Sequence, residues 1–581
     1  KIPWPVMAVR VRVPLAAHHF KDVYIMNRNL ILTLSACAFL SLTSCSKLGK
    51  LTADNFSVSP KPLEVVGGKV SATIEGQFPE KFMNKKATVT VIPELHYGNG
   101  QVARGEGTTF QGEKVMGNDR TISYRLGGRY TMKANFNYVP EMQKSDMYLA
   151  FNAAIGNKKV EIPALKVDYG VIATAELYRR TIRQGGACLA LDSFQRVINK
   201  QQEANVKFLI NQANLRSNEL KNNSVKEFVA MLKRINADRE GLAIKNVEVK
   251  AYASPDGGYT FNDKLANKRQ NVSEGYVKQQ LKGNKMQADI DAHYTAQDWE
   301  GFMKLVQASN IQDKDVILRV LSMYKDPQER EQQIRNMSEG FRELADGILP
   351  ELRRSRLIIN YQVIGRSDEQ IKQQYAADPT KLSLEELLYL AALEDQVSTK
   401  EAIYKKTTQL YSNDFRAYNN LAALALNKGD EATAERYLSQ ALRYNSKAPE
   451  AFANKAYIDL THGRVAQAEQ NLANATEANG FNEILGALNI ARGNYANATE
   501  ELFNNNNSAA LAQLLNKNYM AAEQTLNAIQ QGDAMTSYLK AILYARQGKR
   551  DAAQQALQKA LQQDATLRTY AENDLELANI R

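Results

Sequence analysis

The hydrophobic period of the chain changes along its length. From about 55 to 175, apolar residues alternate with polar ones: Val70, Ala72 and Ile74, then Tyr130, Met132, Ala134, Phe136 and Tyr138. A period of two is that of a strand with one buried face. Pro60, Pro62, Gly67-Gly68, Pro93, Gly98, Gly100, Gly127-Gly128 and Pro140 punctuate it, so the pattern predicts short strands in a small all-β sandwich. The stretch Gly98–Gly107 lacks both GxGxxG spacing and a following Lys-Ser/Thr, and reads as a hairpin loop rather than a phosphate cradle.

From about 176 to 365, strand and helix alternate. Val206–Ile210 and Ala243–Ala251 read as strands. Ser224–Ile235 puts Val225, Phe228, Val229 and Leu232 on one helical face, and Ser224 with Glu227 has the form of a capping box. Asn262 opens a second helix as its N-cap. Residues 284–352 read as a polar helical insert with Trp299, Phe302, Leu305 and Val306 on its apolar face. Arg356–Val363 closes the region as a strand.

From about 366 to 581, strand signals vanish and a phrase recurs: Asn427-Lys-Gly-Asp-Glu-Ala-Thr-Ala-Glu435, Thr461-His-Gly-Arg-Val-Ala-Gln-Ala-Glu469, Ala491-Arg-Gly-Asn-Tyr-Ala-Asn-Ala-Thr499, Asn516-Lys-Asn-Tyr-Met-Ala-Ala-Glu523 and Arg546-Gln-Gly-Lys-Arg-Asp-Ala-Ala-Gln554. Its turn positions Gly429, Gly463, Gly493, Asn518 and Gly548 are spaced 34, 30, 25 and 30. This resembles the tetratricopeptide repeat (TPR), whose unit is about 34 residues. Phe415–Ala448 fits best, with Leu421, Ala422, Ala434, Tyr437 and Ala441 at core positions. The resemblance implies an all-α solenoid whose concave groove takes protein partners.

The run from Ala251 to Val272 holds Gly257, Asn262, Leu265 and Arg269. It resembles the signature of the OmpA-like peptidoglycan-binding domain. That likeness implies an α/β module over 176–365, with 284–352 inserted, which holds the diamino acid of the peptidoglycan stem peptide. An arginine suits the ligand's carboxylate and an aspartate its ammonium. On this likeness the candidate binding residues are Ser254, Asp256, Asn262 and Arg269. Ser254 stands where the family has its ligand-contacting Asp, and Asp256 is positioned to restore the charge. Without that charge, the module is a protein-docking scaffold.

Lys1–Ile25 reads as sequence translated upstream of a start at Met26. Residues 26–44 then read as a signal peptide, with Arg28 before the 13-residue apolar run Leu30–Leu42, too short to span a bilayer. Leu42-Thr43-Ser44-Cys45 resembles a lipobox. The likeness implies acylation of Cys45, anchorage in the outer membrane, and a linker at 45–54. No acidic run follows Cys45, which favours the periplasmic face.

Charge and composition narrow the chemistry. The net charge is +11 and falls to +7 once Lys1, Arg10, Arg12, Lys21, Asp22 and Arg28 are set aside with the leader. The basic residues are dispersed, so no nucleic-acid partner is implied. Only five His and three Cys occur, which leaves little for a metal site, a disulfide framework or Cys/His catalysis. His293 and His462 stand apart, Glu500 and Glu501 read as a solvated face, and Cys188 reads as a buried apolar residue. The expected protein is multidomain: a β-sandwich at 55–175, an OmpA-like module at 176–365 and a TPR array at 366–581. It is expected to be a non-enzymatic lipoprotein without cofactor that tethers the outer membrane to peptidoglycan and recruits partners through the array. Two other readings stand beside this one: an envelope scaffold without peptidoglycan affinity, and a surface-exposed binding lipoprotein.

Overall fold

A computed structural model describes residues 48–311, 314–336 and 344–580. The leader, the apolar run Leu30–Leu42 and Cys45 lie outside the described residues. The chain is β-rich in its N-terminal part and all-helical in its C-terminal part. It forms two compact units. One runs to Leu189 and resumes over Ala425–Leu442 and from Ser446 onward; the other takes Ala190–Leu424 and Arg443–Asn445.

In the first unit, two sheets share one apolar core. The five-stranded sheet is built on Lys69–Phe78, paired antiparallel with Gly128–Asn137 and Phe56–Ser59. The seven-stranded sheet is built on Ala87–Tyr97, paired antiparallel with Asp146–Ile155 and Thr108–Gly112. The alternation seen in the sequence is the burial pattern itself: Val70, Ala72, Ile74, Tyr130, Met132, Ala134 and Phe136 all enter the core. Helix α1 (Tyr178–Gly185) follows the strands and belongs to this unit, not to the α/β module expected to begin at 176.

The second unit holds a four-stranded sheet. Its strands are β1 (Val197–Lys207), β2 (Leu242–Tyr252), β3 (Asp289–Thr295) and β4 (Arg354–Ile364), in the order β1-β4-β2-β3. β4 runs antiparallel to both neighbours, and β2 and β3 are parallel. Helices α2 (Asn223–Ala237) and α3 (Tyr259–Gly283) supply Val225, Phe228, Leu232, Val277 and Leu281 to the core with Val206, Val247, Val249, Leu357 and Ile359.

Four sequence expectations need correction here. The first strand spans Val197–Lys207 rather than Val206–Ile210, because it pairs with β4 along its whole length and needs no apolar outer face. The N-cap of α2 is Asn222, whose Oδ1 accepts from Val225 N–H at 2.8 Å; Ser224 instead donates to Asn222. Asn262 lies inside α3, whose N-cap is Gly258. The region 284–352 is not wholly helical, since β3 completes the sheet edge. The helices α4 (Trp299–Ala308), α5 (Lys314–Met323) and α6 (Pro327–Asn336) follow it, with Phe302, Val306, Ile317, Leu321, Leu344 and Leu352 in a separate core.

Beyond the sheet come α7 (Asp368–Ala377), then the pair α8 (Leu384–Leu393) and α9 (Val397–Leu410), and then α10 (Phe415–Asn427) and α11 (Glu431–Tyr444). The first unit, which takes in most of α11, continues from Ser446 with four helix pairs: α12 (Pro449–Thr461) with α13 (Val465–Leu472), α14 (Phe481–Ala491) with α15 (Tyr495–Glu501), α16 (Asn507–Leu515) with α17 (Tyr519–Ala528), and α18 (Ala534–Arg546) with α19 (Arg550–Gln563). One turn closes each pair. Its left-handed residue is Gly463, Gly493, Lys517 or Gly548, and Gly429 repeats it between α10 and α11. The amide after each of these donates to a carbonyl five residues back, at 2.8–2.9 Å, which is the Schellman closure of a helix end. The fourth turn is therefore made by Lys517, not Asn518; Asn518 caps α17 by accepting from Ala521 N–H.

Candidate functional site

Within the second unit, one end of the sheet gathers the residues singled out in the sequence. The loop after β1 (208–212), the loop after β2 (253–258), the first turns of α3 and Arg353 just before β4 surround a cavity of about 370 Å³.

Arg269 forms its floor and is almost fully buried. Its Nε donates to the carbonyl of Gln212 at 3.0 Å, Nη1 to Tyr252 at 2.8 Å and Nη2 to Leu209 at 3.2 Å. Its guanidinium lies 5.0 Å from the centre of the Phe208 ring. Two carbonyls of the loop after β1 and the last carbonyl of β2 thus converge on one cation, which ties that loop and the end of β2 to α3. Burial, helped by the nearby charge of Arg353, lowers its pKa to about 10, so it stays charged at neutral pH.

Asn262 is also structural. Its Nδ2 donates to the carbonyls of Ser254 (2.9 Å) and Gly257 (2.8 Å), fastening the loop to α3. A Cβ at Gly257 would lie 3.0 Å from Asn262 Oδ1, so the close approach needs the glycine.

The polar centre of the cavity is a chain of three side chains. Ser254 Oγ donates to Asp256 Oδ1. Arg353 Nη2 pairs with Asp256 Oδ2 at 3.0 Å, and its Nε reaches Ser254 Oγ at 3.3 Å. Asp256 and Arg353 keep 17% and 13% of their side-chain surface open, whereas Ser254, Asn262 and Arg269 keep 5% or less of theirs as residues. Solvent therefore meets the Asp256–Arg353 pair first. Two guanidiniums and one carboxylate leave the cavity with a net charge of +1. Ile210 and Phe261 stand exposed on its rim.

Arg353 is the residue that the motif did not single out. It lies 84 positions beyond Arg269 and reaches the cavity because β4 runs between β1 and β2. Its neighbour Arg354 turns elsewhere, pairing with the buried Asp298 at 3.1 Å. Burial raises the pKa of Asp298, and the Gly301 amide and Arg354 oppose that rise.

The helical pairs carry a second kind of recognition. In the first unit, Asn454 is fully buried. Its Oδ1 accepts from Cys188 N–H at 2.7 Å, and its Nδ2 donates to Cys188 C=O at 2.8 Å. Asn427 Oδ1 accepts from Ala187 N–H at 3.2 Å. In the second unit, Asn420 holds Ala190 by the same two bonds, at 2.7 and 3.0 Å. Asn420 and Asn454 are 34 residues apart and hold backbone residues two apart. A primary amide reads an extended backbone through its own donor and acceptor, whatever the side chains. The 34-residue interval between these asparagines was the signal available in the sequence.

No family model matches the chain, and no curated protein matches it. Among solved structures, it is similar to a tetratricopeptide repeat protein from Parabacteroides merdae (14% identity over 42% of this chain and 97% of that one, TM-score 0.27). It is also similar to PilF of Pseudomonas aeruginosa (16% identity over 37% and 98%, TM-score 0.25) and to yeast Tom70 (11% identity over 62% and 84%, TM-score 0.23). The helix pairs, their left-handed turns and their Schellman closures are features of this chain itself.

Proposed function

We propose that this protein is a non-enzymatic, lipid-anchored envelope protein that holds the peptidoglycan stem peptide in its OmpA-like module and recruits protein partners through its TPR-like helix pairs. The observation that carries the reading is the partly open Asp256–Arg353 pair in a cavity of net positive charge. A diamino acid brings a carboxylate and an ammonium. Its carboxylate takes the place of Asp256 on Arg353, and its ammonium takes the place of Arg353 on Asp256. Charge that is already paired and oriented costs little to rearrange, and a guanidinium fork matches a carboxylate in two bonds. Ser254 orients Asp256, and Arg269 shapes the floor. Acylation of Cys45 would hold the module at the outer membrane, facing the periplasm.

The test is sedimentation of the full chain with purified peptidoglycan. Retention is expected, with loss in Arg353→Ala and in Asp256→Ala. No retention, or retention untouched by both changes, overturns the reading. A second reading is favoured by the burial of Ser254, Asn262 and Arg269, whose bonds run to the protein itself. In that reading the module is a scaffold for envelope proteins without peptidoglycan affinity, and the same sedimentation decides between them.

A further inference from the structure

β1 is an edge strand, bonded to β4 on one side and to no strand on the other. Its one-to-one register with β4 fixes where its backbone groups point. Gly365 N–H donates to the carbonyl of Arg196, and Phe208 N–H donates to that of Arg353, both at 2.6 Å. The pairing between them runs without a bulge. Even-numbered residues of β1 therefore bond β4, and odd-numbered ones turn N–H and C=O outward.

The two halves of that outer edge differ. Side chains close the C-terminal half. Asn205 N–H donates to Ser224 Oγ at 3.2 Å, and its carbonyl accepts from Asn222 Nδ2 at 2.9 Å. Lys207 N–H donates to Glu219 Oε2 at 3.2 Å, and its carbonyl accepts from Arg216 Nη2 at 3.4 Å. At the N-terminal half, the outward N–H and C=O of Val197, Asn199 and Gln201 have no partner among the described residues. Residues 197–201 are all exposed. Donors and acceptors in a row at strand spacing are the template that a further strand completes.

Lys200 decides whose strand fits. It is exposed and forms no ion pair among the described residues. Glu203 lies on the opposite face of the strand and is held by Arg356. The two-fold antiparallel registers that engage all three open residues place Lys200 opposite its own copy or opposite Ile198. Neither gives the ammonium a partner, and the first is repulsive. A lysine within an edge strand thus guards against pairing with copies of the same chain, and a carboxylate opposite it lifts the guard.

We propose that the open edge of β1 receives an extended segment of a partner protein as a fifth strand, with an Asp or Glu opposite Lys200. Backbone bonds supply the affinity, and the acid supplies the selectivity. The cavity lies past the other end of β1, so the proposal does not depend on peptidoglycan binding.

The experiment is fluorescence anisotropy of the full chain with two short labelled peptides of alternating Thr and Val, one with Glu and one with Lys at its centre. Hydrogen exchange of β1 is read alongside by mass spectrometry. The Glu peptide should bind saturably and slow exchange over 197–201. It should bind at least about fivefold more tightly than the Lys peptide, and Lys200→Glu should reverse that order. Gln201→Pro removes one outward N–H without touching a bond to β4, and should weaken the Glu peptide at least about fivefold. Circular dichroism confirms that the variants are folded. No saturable binding, a preference that Lys200→Glu leaves unchanged, or binding that leaves exchange over 197–201 unaltered overturns the proposal. So does a concentration-dependent dimer of the wild type, seen by light scattering and abolished by Gln201→Pro, since a second copy would then occupy the edge.

Discussion

Asn454 and Cys188, 266 residues apart, form a closed two-bond ring: the side-chain amide of one meets the N–H and C=O of the other. Both are buried. Asn454→Ala removes a partner from one donor and one acceptor, each worth about 1–3 kcal/mol, so a loss of roughly 2–6 kcal/mol is expected from denaturant unfolding.

The Cys188 thiol reports on the same ring. Burial pushes its pKa up to about 12, with Glu450 and Glu483 adding to the rise, so little thiolate exists near neutrality. Mass spectrometry should find Cys188 unmodified by a maleimide at pH 7.5 in the native protein, and modified once Asn454→Ala opens the site. Rapid modification in the wild type would contradict the burial.

Arg269→Ala should act on stability rather than on a ligand alone. Three carbonyls lose their common donor, and a large, almost fully buried side chain is removed. A destabilisation of about 3 kcal/mol or more is expected from chemical unfolding. Arg353→Ala should cost much less, because Asp256 is partly open to water. Equal costs would show that the two arginines share one role.

Lys517 occupies the left-handed position that glycine fills in the neighbouring turns, with φ 62°. An L-residue there is strained by about 1–2 kcal/mol, partly offset by the chain entropy that glycine loses on folding. Lys517→Gly should therefore raise the melting temperature modestly, by about 0.5–1 kcal/mol in stability terms. The mirror change, Gly548→Ala, should lower it.

Glu203 accepts from Arg356 at 2.7 and 2.6 Å across β1 and β4. The hydrogen bonds from Arg356 hold its carboxyl below the usual glutamate range, against the opposing effect of burial. A depressed carboxyl pKa stabilises the fold above the unfolded value, near 4.5, and that stability is lost as pH falls through the folded value. The pair is about one-third exposed, so water screens it to roughly 0.5–1 kcal/mol. Melting curves of wild type and Glu203→Gln should differ at pH 7 and converge as the pH falls below the unfolded value and through the lowered folded one.

How much of this was legible varied with the physics of each element. Val70, Ile74, Tyr130 and Phe136 announced their strands because one face is buried and the other wet. Gly463, Gly493 and Gly548 announced their turns because a left-handed residue favours glycine. Lys517 did not, since its backbone is imposed by the helices on either side. β3 was hidden because Asp289, Asp291 and His293 lie on a mostly exposed sheet edge, where charge is favoured over apolar residues. β1 begins Val-Ile-Asn-Lys-Gln-Gln, and its pairing with β4 is by backbone. Asn262 and Arg269 were placed correctly at the cavity, but their bonds run to loop carbonyls. Arg353, the more open of its two arginines, comes from the distant stretch before the closing strand, which the sequence marks as a strand and not as part of the site.

The ring between Cys188 and Asn454, and the bond of 2.8 Å from Thr174 to Glu576, set a schedule for biogenesis. At roughly 5–20 residues per second, a ribosome takes about 13–53 s to travel from position 188 to position 454. Until then, Cys188 lacks the amide that holds it, and α1 lacks the helices α12, α14 and α16 against which it packs. The N-terminal sheets can close early, but the unit that contains them is finished only when the last helix pairs are made. A prematurely terminated chain would leave Tyr178, Ile182 and Cys188 uncovered, a surface that quality-control proteases and chaperones can read.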